Sequence, residues 1–307
     1  MQFMSKTAQQ SKLRLLISGL SNTGKTTSLP TFIYGPYDYW SDTPQCEEEQ
    51  QAAIDYADGK HMVIISLPGE TGSRSLMTDT PHLTSYSIES SPGDDTNSAE
   101  WSRDALSAYD KLYSDVECNK PDILCNDGAT SLCDHIFNSI TNGEWLAGTD
   151  LSTNPNTGVA TDKYRAAKFY NYGHRTFGSY IAKWYMSPIP LIVVTCLESW
   201  QAARLDSDRP GAIGDTRYLW PDMPGEMATR IVGKFDARLS ATFAPRCLHK
   251  QCADSASSIS HHVWQFLPRG DVMGVGIKGL KVKEVMKQKP YIHQCYSNLK
   301  ELMENFT

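Results

Sequence analysis

No run in the 307 residues approaches the roughly 18 uninterrupted apolar residues that a membrane-crossing helix needs. The opening MQFMSKTAQQSK lacks the apolar core of a secretory signal, so a cytoplasmic location and no membrane partner are expected. Positive charge is not in excess: 29 Lys and Arg against 35 Asp and Glu leave a formal charge of −6. That balance excludes a surface that is basic everywhere and confines any nucleic-acid contact to patches. A disulfide framework is missing too. The eight cysteines, at 46, 118, 125, 133, 196, 247, 252 and 295, are scattered, and Cys125 and Cys196 fall inside apolar strands, so reduced thiols are expected. No internal repeat or break in composition marks a second domain. One domain over 1–307 is therefore expected, with a core over about 13–283 and a closing helix over 291–305. With 40% hydrophobic and 21% charged residues, such a chain builds a core without help from metals or disulfides.

What is present is an alternation of apolar strands with helical periods. Leu13, Leu15, Leu16 and Ile17 make a short buried strand, MVIISLPGETG (62–72) a second, LTSYSIES (83–90) a third and PDILCND a fourth that ends at Asp127. PIPLIVVTCLES (188–199) is the most hydrophobic of all. Between them, Trp101, Ala105, Leu106, Tyr109, Leu112 and Tyr113 recur at helical spacing over 98–117, a helix starts near Ser131, and 163–187 is helical. Glu47–Tyr56 forms a short helix, 142–162 a long loop, 227–243 a helix passing into a strand, and 261–282 late strands. Strands and helices in this order predict an α/β fold with a mainly parallel central sheet flanked by helices.

Ligands of such sheets sit at the carboxyl ends of the strands. The first strand runs there into Gly19-Leu20-Ser21-Asn22-Thr23-Gly24-Lys25-Thr26, which has the spacing G-x-x-x-x-G-K-[ST]. In that pattern the glycines let successive N–H groups converge on phosphate oxygens, the lysine reaches the outer phosphates and the hydroxyl coordinates magnesium. Candidate phosphate ligands are thus Gly19, Ser21, Asn22, Thr23, Gly24, Lys25, Thr26 and Thr27. A helix over Gly24–Leu29, bent or ended by Pro30, is expected to add its positive end.

Asp127, at the tip of a buried strand, is the candidate magnesium ligand beside Thr26, although a strand-end aspartate also suits a helix cap. Asn126, Thr130 and Ser131 are weaker candidates nearby. Glu70 follows the second strand and is placed to orient an attacking water; the alternative is a solvated turn. Thr195 and Glu198, at the end of LIVVTCLE, are candidates to sense a terminal phosphate. IKGLKVKEVMKQKP carries Lys278, Lys281, Lys283, Lys287 and Lys289, a basic patch or a solvated face. Cys247, His249, Cys252 and His261 or His262 offer a zinc set of irregular spacing, and a loop with free thiols accounts for it better.

In order, GLSNTGKTT, ISLPGETG, DILCNDGATSL, YNYGHRTFGSYIAKW, LIVVTCLES and PDMPGEMATRIVGKFDARL resemble the phage-encoded RecA-like P-loop ATPases, over roughly 13–283. The resemblance implies a RecA-like P-loop NTPase core, ATP hydrolysis with magnesium, assembly into rings or filaments, and single-stranded DNA as a partner in recombination or annealing. By position it implies Lys25 and Thr26 as the Walker A pair, Asp127 as the Walker B acid, Glu70 as the water-activating residue and Thr195 as a sensor. It further implies that Lys278 or Lys281 reaches the nucleotide of a neighbouring subunit. Candidate DNA contacts are the lysines of 278–289 and the loop with Arg204, Arg209 and Arg217. Asn126, where an apolar residue is usual, the insertion at 141–162 and the acidic balance depart from the pattern. Two other classes stay open. One is an assembly or packaging component whose partner is protein; the other is a small-molecule phosphotransferase, for which Arg165, Arg175 and Arg204 are the available arginines.

Overall fold

The computed structural model describes residues 12–34, 51, 54–57, 59–68, 70, 82–88, 98–141, 162–202, 217–223, 227–244, 261–267, 275–278 and 291–306. Within them, β1 (Leu13–Gly19), β2 (Met62–Ser66), β3 (Leu83–Ser87), β4 (Ile123–Asp127), β5 (Leu191–Ala202) and β7 (Ala237–Ala244) run parallel, in the order β7-β1-β5-β4-β2-β3. Antiparallel strands extend the sheet at the β7 edge. There β8 (His261–Gln265) pairs with β7 and β10 (Tyr291–His293) pairs with β8, while the short β9 (Gly276–Ile277) lies along the start of β7. The far end of β5 leaves the sheet to form a ribbon with β6 (Arg217–Pro221).

Central strands buried on both faces read as nearly continuous apolar runs, which is why these segments are conspicuous in the sequence. Leu16, Leu124, Ile192 and Val194 face one layer of helices: α2 (Ser98–Asn119), α3 (Ala129–Thr141), α4 (Asp162–Met186) and α5 (Met227–Lys234). Leu15, Ile17, Cys125, Val193 and Leu239 face the other, where α1 (Thr31–Tyr34) and α6 (Tyr296–Phe306) pack. The end of α4 is capped by cations. Arg14 Nη2 and Lys12 Nζ donate to the Ser187 carbonyl at 2.8 and 3.0 Å, as the orphaned carbonyls of a helix end require, and Pro188 follows.

Two expectations are corrected. Residues 25–30 form successive turns instead of a helix, and α1 begins only after Pro30. Ser28 N–H donates to the Gly24 carbonyl at 2.9 Å, but Pro30 has no N–H to continue the ladder to Thr26, whose carbonyl accepts from Leu29 instead. At the other end, 291–293 is strand β10 and the closing helix starts at Tyr296, whose N–H is received by Thr31 Oγ1 at 3.2 Å. Residues 51 and 54–56 of the predicted short helix are helical, as is Ala57 beyond it; the remainder of that helix and residues 142–161 of the predicted loop lie outside the described residues.

Candidate functional site at the carboxyl ends of the strands

The loop after β1 turns on two residues in the left-handed region, Asn22 (φ 60°) and Gly24 (φ 85°). A side chain at Gly24 would meet Gln294 Oε1 at 2.6 Å, so glycine is required by both backbone and space. Ser21 and Asn22 are exposed at the tip, while Thr23 is buried with its hydroxyl donating to the Leu20 carbonyl at 2.8 Å. Thr27 Oγ1 donates to the Gly24 carbonyl at 3.1 Å. Lys25 folds over its own loop, its ammonium donating to the carbonyls of Gly19 (3.1 Å) and Leu20 (2.7 Å), and burial holds its pKa below the ordinary value.

Asp127 is brought to this loop by sheet order. β5 lies between β1 and β4 and aligns the ends of those two strands: Ile17 is opposite Thr195, and Val194 opposite Asn126. The buried Asp127 carboxylate accepts from Thr26 Oγ1 at 3.0 and 3.2 Å and from Thr195 Oγ1 at 2.5 Å. Thr195 Oγ1 in turn accepts the Gly128 N–H at 2.9 Å. Burial raises the pKa of Asp127, opposed by those two hydroxyls and by the charge of Lys25.

Glu70 stands one strand over, beyond the end of β2, which pairs with β4. Its chain closes on Gly128 (φ 105°), where a Cβ would meet Glu70 Cγ at 2.5 Å. Burial and then the charge of Asp127 push the Glu70 carboxyl up to about 7, with Lys25 acting the other way. Two carboxyls, a lysine and a hydroxyl thus share one desolvated place. Such a set of oxygen donors is short of positive charge and fits a hard divalent cation such as magnesium, which Thr26 and Asp127 could hold.

The other candidates fall elsewhere. Glu198 is locked below the loop, accepting from Ser18 Oγ (2.6 Å), Arg238 Nη2 (2.8 Å) and Ser240 Oγ (3.0 Å), with Arg238 also stacked over Trp220 at 4.8 Å. Asn126 accepts from Tyr109 OH at 2.6 Å on the opposite face, Thr130 Oγ1 accepts the Leu197 N–H, and Ser131 Oγ donates to the Pro68 carbonyl. Lys278 is exposed, and its N–H donates to the Asp236 carbonyl at 2.8 Å, at the start of β7 and so at the end of the sheet opposite the loop. Arg175 is exposed on α4. Lys281, Lys283, Lys287, Lys289, Arg204, Arg209, Cys247, His249 and Cys252 lie outside the described residues, as do the side chains of Arg165, Arg217 and His261. Among the described residues no cluster of three or more His, Cys, Asp or Glu has a metal-holding arrangement, and the described cysteines are free thiols. No described helix is long and apolar enough to cross a membrane.

Sequence reasoning missed two groups. Gln294, buried just past β10, donates to the carbonyls of Thr23 (2.9 Å) and Val263 (3.1 Å) and so ties the loop after β1 to the C-terminal strands; no local pattern signals it. Arg238, Ser18 and Ser240 were legible in principle, since a charged residue inside an apolar strand calls for a buried partner.

No protein-family model matches the chain, and no curated protein matches it. Among solved structures, it is similar at 13% identity and a TM-score of 0.35 to a prototypical ATPase from the type III secretion system of pathogenic bacteria. That match covers 79% of this chain and 52% of the other, so the chain spans about half the length of that ATPase, a likeness too weak to carry an argument about function.

Proposed function

We propose that this chain is an ATPase on a RecA-like P-loop core, binding ATP with magnesium at the ends of β1, β4 and β5. The observation that carries the reading is the hydrogen bond from Thr26 to Asp127, which joins the last residue of the glycine-lysine-threonine motif to a carboxylate two strands away. A bland turn between strand and helix gives no reason for that convergence. In this reading, the N–H groups of residues 21–27 and the Lys25 ammonium hold the phosphates, and Thr26 with Asp127 holds magnesium, which supplies charge neutralisation when bound. Thr195 keeps the Asp127 carboxylate in one orientation. Glu70, with a carboxyl poised near neutrality, holds a water and accepts its proton.

Lys25→Ala tests it. Nucleotide binding should weaken greatly and phosphate release should stop, while the circular dichroism spectrum stays that of the folded chain. Undiminished turnover by the folded variant would overturn the assignment.

A finer reading places this ATPase in phage DNA recombination or single-strand annealing, as a ring or filament, and rests on the order of the sequence motifs. Lys278 sits far from its own loop, so any catalytic role for it is in a neighbouring subunit's site; the same role is proposed for Lys281 on its nearness in sequence. Mixing inactive Lys25→Ala with an inactive Lys278→Ala/Lys281→Ala double variant should then restore part of the activity; co-assembly without recovery refutes the role. Binding to single-stranded oligonucleotides should fall steeply with salt. No binding favours a protein partner, as in assembly or packaging, and phosphate release only with a small acceptor favours a phosphotransferase.

A further inference from the structure

On the side of β1 away from Asp127, Phe243 and His262 face one another across β7 and β8, in register, with ring centroids 4.7 Å apart and planes tilted 44°. Phe243 is 43% exposed, whereas its neighbours on the same face of these two strands are buried: Leu239 and Ala241 before it on β7, Trp264 and Phe266 after His262. Alternation puts both rings on the face that carries α1, the same face as Asp127 and Thr195. The His262 ring also lies beside the loop, 3.3 Å from where a Cβ on Gly24 would be.

We propose that Phe243 and His262 form a stacking platform for the base of the nucleotide whose phosphates the loop holds. This rests on the reading of the loop given above. Neighbouring strands are about 4.8 Å apart, so β4 lies about 10 Å to one side of β1, and β7 and β8 about 5 and 10 Å to the other. If Thr26 and Asp127 take the outer phosphates, a phosphate chain crossing the loop leads its nucleoside toward β7 and β8. An exposed aromatic pair at that end, beside the loop, offers a flat apolar surface of the kind on which bases stack irrespective of sequence, and a purine has the larger face.

The probes are ATP and inorganic triphosphate, compared by calorimetry on the full chain. Phe243→Ala should weaken ATP on the order of tenfold or more and leave triphosphate unchanged, and Phe243→Tyr should restore ATP. Phe243→Trp should show fluorescence quenched by ATP and not by triphosphate. Equal losses for both ligands, no loss for either, or an indole signal in Phe243→Trp that is indifferent to ATP would overturn the platform. Lys25→Ala, which should weaken both ligands, reports separately on the phosphate loop: if it binds both normally, the parent reading fails instead.

Discussion

Glu70 is the residue at which stability and chemistry make opposite demands, and Glu70→Gln exposes both. Its carboxyl is pushed from 4.5 to about 7 by burial and by Asp127. A shift of that size amounts to about 3 kcal/mol at about 1.4 kcal/mol per unit, and water reaching the partly exposed carboxyl reduces it to roughly 1–3 kcal/mol. The sign follows from proton counting. Between 4.5 and 7 the folded chain keeps a proton that the unfolded chain has released, so the contribution of this group to stability falls as pH rises through that window. Above 7 both states are ionised and the full penalty remains; below 4.5 neither is. A glutamine amide in its place carries no such charge. Without nucleotide or magnesium, Glu70→Gln should therefore be more stable than wild type at pH 8 by about 1–3 kcal/mol in urea unfolding. That gain should shrink to nothing as the pH is lowered toward 4.5. The same variant should still bind ATP with magnesium but lose turnover by about 10²-fold. A stability difference that is flat with pH would refute the electrostatic argument, and normal turnover would return Glu70 to a structural turn.

Three further outcomes follow from the packing around the site. Gly128→Ala places a Cβ 2.5 Å from Glu70 Cγ at φ 105°, so it should cost about 1–3 kcal/mol and reduce turnover; in a Glu70→Ala background the steric part of that cost disappears, and simple additivity in the urea cycle would refute the clash. Arg238→Met strands the buried Glu198 carboxylate and should cost about 3–5 kcal/mol, with Arg238→Met/Glu198→Leu recovering much of it; a single-variant loss below about 1 kcal/mol in urea unfolding counts against the pair. Asp127→Ala should lose the magnesium-dependent part of nucleotide affinity, measured as the difference in binding with and without the metal, and an unchanged difference removes Asp127 from the metal site.

The strands were legible because they are buried on both faces: Leu15 to Ile17, Ile123 to Cys125 and Leu191 to Val194 have no polar residue to interrupt them. Local rules also placed Lys25, Thr26, Asp127, Glu70 and Thr195 at strand ends. What they could not supply was pairing. Thr195 was legible as a strand-end hydroxyl; only the order β1-β5-β4 shows that its hydroxyl meets Asp127. The turn after the loop departs from the expected helix because the missing N–H of Pro30 acts one turn earlier, on Thr26, and not at the proline itself. Gln294 was invisible, since its partners are backbone carbonyls 271 and 31 residues away.

The same burial that makes the central strands easy to find leaves their register underdetermined by apolar residues. In a strand with one wet face, a slip of one residue exposes its whole apolar set; in β5, with apolar layers on both faces, it merely exchanges Val193 and Val194 between layers. Polar residues decide instead. In the observed register Ser18 and Arg238 reach Glu198, and Thr195 reaches Asp127. A slip of β5 by one residue would turn Glu198 and Thr195 to the opposite faces, leaving the carboxylates of Glu198 and Asp127 buried without these partners, at several kcal/mol each. The buried ion pair under the loop is thus more than a weak contributor to stability: it specifies the alignment of β1, β5 and β7 on which the site depends. The recovery expected for Arg238→Met/Glu198→Leu should accordingly be in stability and not in turnover, because the double variant regains an apolar core while losing the polar pairing that holds Thr195 against Asp127.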